Sequence, residues 1–260
     1  MSLRVTPIPA FTDNYFWAIH AADDKHLVAV VDPGDAAVVE TFLRDHALQL
    51  AAILVTHWHP DHIGGIAALT ATRDIPVIGP DSPHIPQVTQ KIADGDQVML
   101  FGVTFQVIGV PGHTLDHIAF HHVSDTQSLL FCGDTLFSSG CGRIFEGDAN
   151  MMFNSINKIK QLPVNTEIFC AHEYTLSNLK FAAAVEPDNQ AVIDRIAEAT
   201  ALRAQNKPTV PTTLEQELHF NPFLRCDQKT IKNAISEVKN IQNCDESIIF
   251  AALRGWKDTF

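Results

Sequence analysis

One stretch constrains this chain more than any other. Thr56-His57-Trp58-His59-Pro60-Asp61-His62 follows the apolar run Ala51 to Val55. Three imidazoles and a carboxylate in so short a span are costly for a fold to place together unless a cation holds them. Imidazole and carboxylate are the donors that zinc, iron and manganese take. His57 and His59 stand two apart just past the end of an expected strand, and in extended backbone such a pair points to one side. Pro60 suits a turn, which aims Asp61 and His62 at a neighbouring ion. Gly64-Gly65 lets the backbone turn closely beneath the site and enter the next helix.

Three more donors follow the same pattern of an apolar strand, one or two linking residues, then a polar ligand. His113 follows Val103 to Val110 through Pro111-Gly112. Asp134 follows Ser128 to Cys132 through Gly133. His172 follows Thr166 to Cys170 through Ala171. Strands ending on one rim would bring these donors to one site. Seven donors exceed one tetrahedral ion and suit two, so the pattern points to a dinuclear metal hydrolase. His117 reads as a ligand or, in preference, as a partner of a ligand ring. Asp32, ending a strand before Pro33-Gly34, reads either as a turn residue or as an acceptor for a ligand imidazole. His20, His26, His46, His84, His121, His122 and His219 read as hydrogen-bonded or surface histidines.

The chain has 260 residues, 46% of them hydrophobic, enough for one large domain or two unequal ones. Its net charge is −12, from 30 acidic and 18 basic side chains. That field repels nucleic acid and anionic membranes, and it requires a local basic patch for any anionic substrate. The five cysteines (Cys132, Cys141, Cys170, Cys226, Cys244) are an odd number without a CxxC pair. They read as free, buried thiols in a reducing compartment. Met1 to Thr12 has no apolar run, and no stretch approaches the roughly 20 apolar residues of a membrane span. The expectation is a soluble cytoplasmic protein, monomeric by default.

Strands and helices alternate over the first two-thirds. Tyr15 to His20 and His26 to Asp32 form a hairpin about Ala21 to Lys25. Asp35 to His46 is a helix with Val38, Val39, Phe42 and Leu43 on one face. Leu50 to Val55 and Pro76 to Ile78 are strands, as is Ile118 to His122. Ile66 to Thr72 and Asn150 to Leu162 are helices. From Tyr174 the strand signal fades. Leu176 to Ala184, Ala191 to Ala204, Lys229 to Val238 and Asp245 to Arg254 are helical, and Lys207 to Thr213, with two prolines, is a linker or extended stretch. The boundary falls near residue 173.

The His-x-His-x-Asp-His run, the Gly112-His113-Thr114 step and the strand-end Asp134 and His172 resemble the metallo-β-lactamase superfamily. Further segments resemble one family within it. They are Asp13-Asn14-Tyr15, Cys132-Gly133-Asp134-Thr135-Leu136-Phe137, Cys141-Gly142-Arg143, His172-Glu173-Tyr174-Thr175, Asn221-Pro222-Phe223-Leu224-Arg225 and the closing Leu253-Arg254-Gly255-Trp256-Lys257-Asp258. Over nearly its whole length the chain resembles the glyoxalase II, or hydroxyacylglutathione hydrolase, family.

That resemblance implies a four-layer αβ/βα sandwich over residues 1–173 and a smaller all-helical, glutathione-binding domain over 174–260. It implies two divalent ions, zinc foremost, with iron or manganese also suited to the donors. His57, His59 and His113 would hold one ion, Asp61, His62 and His172 the other, and Asp134 would bridge. The nucleophile would be a metal-bridging hydroxide held by Asp134, Asp61 and His59. Glutathione contacts would fall on Arg143, Tyr174, Arg254 and Lys257. The chain departs from some relatives at position 145, where Phe145 replaces a tyrosine. It also has arginine at 143, where lysine is common.

The implied reaction is hydrolysis of S-D-lactoylglutathione and related 2-hydroxyacyl thioesters to glutathione and the acid, the second step of methylglyoxal detoxification. A thiolate leaves without a strong general acid, because its conjugate acid has a pKa of only about 8.5. Alternatives are another hydrolase on the same scaffold and a mononuclear-iron glutathione persulfide dioxygenase. A non-catalytic metal or electron-carrying module fits less well. A structural site would favour cysteine ligands, and none of the cysteines stands at ligand spacing.

Overall fold

The computed structural model describes residues 2–241 and 245–260. Its backbone falls into two compact units. The first comprises the chain to Gly109 together with Asp116–Gly133. The second comprises Val110–Leu115 together with Asp134–Phe260.

In the first unit, β1 (Arg4–Ala10), β2 (Asn14–His20), β3 (Leu27–Val31), β4 (Gln49–Leu54), β5 (Val77–Pro80) and β6 (Gln90–Ile92) form one sheet in chain order. β1 to β3 run antiparallel, with Ile8 opposite Phe16 and Trp17 opposite Val31. β3 to β6 run parallel, with Val31 opposite Leu54 and Ile53 opposite Val77. α1 (Ala36–Asp45) is started by Asp35, whose carboxylate accepts the Ala37 and Val38 N–H groups. Its Val39 and Leu43 pack with Ile66 and Leu69 of α3 (Ile66–Thr70) onto Phe16, Val28, Val30 and Ile53. Each such buried side chain contributes about 1.5–3 kcal/mol. Between these helices lies α2 (Pro60–Ile63), with proline at its first position. The first unit also holds an antiparallel run of β7 (Gln97–Leu100), β8 (Val103–Gly109), β9 (Ile118–Val123) and β10 (Ser128–Gly133).

The second unit contains the ribbon β11 (Leu136–Phe137) with β12 (Gly140–Cys141), then α4 (Ala149–Lys160), β13 (Glu167–Cys170), α5 (Thr175–Val185) and α6 (Gln190–Ala204). It continues with β14 (Thr212–Thr213), α7 (Leu214–Phe220), α8 (Lys229–Lys239) and α9 (Glu246–Lys257). α5, α6 and α7 share a core of Leu179, Ala182, Val192, Ala199 and Phe220. Phe181, Phe223, Phe250 and Trp256 form a chain of ring contacts that ties α5 to α9.

Most expected elements are present, and the differences have physical causes. β1 was not expected, because its two prolines hide a strand whose inward residues are only Ile8 and Ala10. β6 and β7 are short, β6 is mostly polar, and only alternate residues are buried in β7. Pro60 begins a helix rather than a turn. The stretch Lys207 to Thr213, expected as a linker or extended chain, ends as the short strand β14, which pairs with β13 through Ile168 opposite Thr212. α7 follows it directly. Cys132, Cys141, Cys170 and Cys226 are buried free thiols, as expected. Cys244 lies outside the described residues. Among the described residues, no helix is long and apolar enough to cross a membrane.

Candidate metal centre

In the first unit the donors stand where β4 ends. Leu54 is the last strand residue, and the chain then runs through Val55 and Thr56 to His57 and His59 before α2 carries Asp61 and His62. The two histidines of the His-x-His pair do turn to one side, with His57 Nε2 3.1 Å from His59 Nδ1. Asp32, just past β3 and in a left-handed conformation (φ 52°), lies beneath them. One of its oxygens accepts the Thr56 N–H at 2.7 Å; the other accepts the Thr56 hydroxyl at 2.6 Å and His62 Nδ1 at 3.0 Å. Asp32, His57 and His62 bring ligand atoms within 4.8 Å of one another. The turn Pro33-Gly34 packs so closely on α2 that a Cβ at Gly34 would overlap the Asp61 carbonyl.

The hydrogen bonds fix which imidazole nitrogen carries the proton. The single hydrogen of Thr56 Oγ1 goes to Asp32, so the 3.0 Å contact with His57 Nδ1 is donated by the ring. The lone pair of His57 is therefore on Nε2. His62 likewise donates from Nδ1 to Asp32, and its Nε2 faces Asp61 Oδ2 at 3.4 Å. Asn14 donates to that same Asp61 oxygen at 2.9 Å and orients it. His117 stacks on His57, with ring centroids 4.5 Å apart at 14°.

In the second unit the same logic recurs with other partners. His113 Nδ1 donates to the Arg143 carbonyl at 2.8 Å, which turns its Nε2 lone pair toward Asp134 Oδ2 at 3.3 Å. The other oxygen of Asp134 faces His172 Nε2, also at 3.3 Å. Asp134 thus presents one oxygen to each of two imidazoles. Tyr174 lies parallel on His172, with centroids 4.7 Å apart at 4°.

These contacts fit a metal centre. A carboxylate facing an imidazole lone pair is unfavourable unless a proton or cation lies between them. A charge-assisted N–H···O bond would close to about 2.7–2.9 Å. Bonds of about 2.0–2.1 Å to a tetrahedral ion put neighbouring donor atoms about 3.3 Å apart. The three imidazole–carboxylate separations, 3.3, 3.3 and 3.4 Å, match the second case.

The expected substrate residues all belong to the second unit. Arg143 has an exposed side chain, whereas Arg254 is only 4% exposed. Arg254 donates to the carbonyls of Cys141 at 2.9 Å and Gly142 at 3.4 Å and pairs with Asp258 at 2.9 Å. One helical turn on, Lys257 is half-buried, with Nζ 5.3 Å from the Phe181 ring centre and donating to the Ser177 carbonyl. Burial, reinforced by the nearby Arg254 charge, pushes its pKa down to about 8. Phe145, 63% exposed, sits edge-on to His113 at 5.2 Å.

Comparison with known proteins settles the family. Residues 17–172 match the metallo-β-lactamase superfamily, and residues 173–260 match the hydroxyacylglutathione hydrolase C-terminus. The hydroxyacylglutathione hydrolase 2 of Vibrio vulnificus strain YJ016 is 51% identical over 259 residues, covering 99% of this chain and all of that protein. The chain belongs to the hydroxyacylglutathione hydrolase family. Solved structures share the fold. ETHE1 from Myxococcus xanthus aligns with a TM-score of 0.65 at 22% identity, over 100% of this chain and 99% of that one. TTHA1623 in a di-iron-bound form aligns at 0.55 and 26% identity, over 64% of this chain and 91% of that one. The metallo-β-lactamase fold with a helical C-terminal region is the one the sequence predicts.

The sequence singles out seven candidate donors and leaves several supporting residues without a role. Asn14 stands inside a quoted motif with no task given. Thr56 heads the histidine run and was passed over. Glu217 and Asn221, both fully buried, bond to the segment that leads to Arg143. Thr213-Leu214-Glu215-Gln216 is a capping-box sequence, and the box forms at the start of α7. That signal would have found the helix that carries Glu217.

Proposed function

We propose that this chain is a metal-dependent thioester hydrolase acting on S-D-lactoylglutathione and related S-2-hydroxyacylglutathiones. The full-length match to a hydroxyacylglutathione hydrolase carries the reading, because it runs through the helical region as well as the histidine motif. We assign His57, His59 and His113 to one ion, Asp61, His62 and His172 to a second, and Asp134 to both. The two oxygens of Asp134, each turned to a different imidazole, support that bridging role. Zinc suits the nitrogen and carboxylate donors, as do iron and manganese.

A pair of divalent ions supplies an attacking water acidified toward neutrality and a Lewis acid for the thioester oxygen. The protein supplies the rest. Asp134, Asp61 and His59 orient the attacking oxygen. Asp32, Thr56 and Asn14 fix the rings and carboxylate that surround it. Glutathione is anionic, and the chain is acidic, so binding needs the basic cluster of Arg143, Arg254 and Lys257. Arg143 and Lys257 meet the carboxylates of the tripeptide. Arg254 adds its charge while its N–H groups hold the neighbouring loop. Tyr174, braced on His172, lines the tripeptide side. The division at residue 173 separates the chemistry from most of the substrate grip. Buried free thiols fit a reducing, cytoplasmic setting, and we propose a monomer.

The test pairs elemental analysis with turnover. We expect two divalent ions per chain and hydrolysis of S-D-lactoylglutathione far above that of matched oxygen esters. Chelation should abolish the activity and zinc restore it. Undiminished hydrolysis by metal-free protein, or equal turnover of both ester classes, would overturn the proposal.

A further inference from the structure

The segment 137–143 supplies the carbonyl of Arg143 that accepts His113 Nδ1, and so it sets which way that ligand ring faces. Its own polar backbone groups are taken by side chains from the helical region. Ser139 N–H donates to Glu217 Oε2 at 2.8 Å. Asn221 Nδ2 has two hydrogens to share among three acceptors within reach, the carbonyls of Phe137 at 3.1 Å and Gly140 at 3.0 Å and Glu217 Oε2 at 3.0 Å. Thr212 donates to the other Glu217 oxygen at 2.7 Å. Asn178 donates to the Ser138 carbonyl at 3.1 Å. Ser139 is held at φ 60°, a conformation that residues other than glycine rarely adopt.

The fit against the ligand-bearing segments is tight. A Cβ at Gly142 would overlap the Asp134 carbonyl and stand 3.3 Å from His113 Nδ1. The segment cannot shift without disturbing the His113 hydrogen bond. Glu217 is fully buried, and a buried carboxylate is costly unless its lone pairs are satisfied. Here they are satisfied by the groups that hold this segment.

We propose that Glu217 and Asn221 are positioning residues for the metal ligand His113, acting through the backbone of residues 137–143. The helical region then sets the metal centre as well as the substrate grip. This inference rests on the reading of His113 as a metal ligand.

The experiment measures zinc affinity by chelator competition and records the visible spectrum of the cobalt-substituted protein. It uses full-length variants whose near-ultraviolet circular dichroism matches the parent. Asn221→Ala should weaken one of the two ions roughly tenfold and change the cobalt spectrum, as loss of a ligand's support does. Glu217→Ala should do the same. Glu217→Gln should restore parental affinity, since its amide oxygen can accept Ser139 N–H while its amide nitrogen donates to Thr212. Glu186→Gln, which breaks the pairing with Arg225 elsewhere in the helical region, should lower thermal stability and leave both ions unchanged. Parental affinity for both ions in Asn221→Ala overturns the inference, as does equal weakening of both. If Asn221→Ala does not fold, Asn221→Ser serves. It keeps one donor and should lose about threefold for one ion, and parental affinity there also overturns the inference. His113→Ala is the reference. If it retains both ions at parental affinity, the assignment of His113 fails first and the inference falls with it.

Discussion

The two sets of donors are supported in different ways. His57, His59, Asp61 and His62 are close in sequence, and their partners are side chains from neighbouring elements of the same sheet: Asp32 after β3, Thr56 after β4, Asn14 on β2. His113, Asp134 and His172 are far apart in sequence, and His113 Nδ1 is held by a main-chain carbonyl. That carbonyl belongs to a segment fastened by Glu217, Asn221 and Arg254. A motif read from local spacing comes with local support. A site assembled from distant strands takes its support from residues that no local pattern singles out.

Substitutions can break this comparison at chosen points. The largest effect belongs to Asp134→Ala, because its two oxygens serve two imidazoles. Turnover should fall at least about 10³-fold, with loss of bound metal seen by elemental analysis. Retention of both ions would remove Asp134 from the bridging position. Asp32→Ala comes next. It strips partners from His62 and Thr56 together, and metal affinity should fall toward the upper end of about 10–100-fold. An effect no larger than that of Asn221→Ala would erase the distinction between side-chain and backbone support.

Arg143→Ala is milder. The backbone carbonyl stays, so metal content should be unchanged while KM for the glutathione thioester rises roughly tenfold, the loss expected for one charge-assisted contact. The smallest effect is a pH dependence. Lys257 is cationic below its pKa of about 8 and neutral above it. KM should therefore climb as pH rises from 7 to 9. Lys257→Arg, charged throughout that range, should flatten the climb. A parental profile in Lys257→Arg would show that another group governs binding.

Much of this could be read from the residues because the chemistry demanded it. Histidines two apart past an apolar strand have few uses besides a cation, and a repeated strand-then-ligand pattern added His113, Asp134 and His172. The helical C-terminal region followed from its periodicity, and the proposed substrate residues from family resemblance. What escaped had weak local signals. β1 carries two prolines and buries only Ile8 and Ala10. Glu217 looks like any helix-surface glutamate, and only the tertiary structure shows it buried beneath Ser139. The resemblance puts a glutathione contact on Arg254, and it does not reveal that two nearby carbonyls and Asp258 also claim its donors. A basic residue near a chain end carries no local mark of such a commitment.

The capping box at Thr213 has a consequence for anyone recombining this scaffold. It starts the helix that delivers Glu217 and Asn221 just after β14 has docked on β13. Specificity swaps that cut the chain in the stretch after His172 and graft a foreign tail would discard the anchors of the Arg143 segment. Chimeras should carry residues 137–143 and 212–221 from the same parent, as a matched pair.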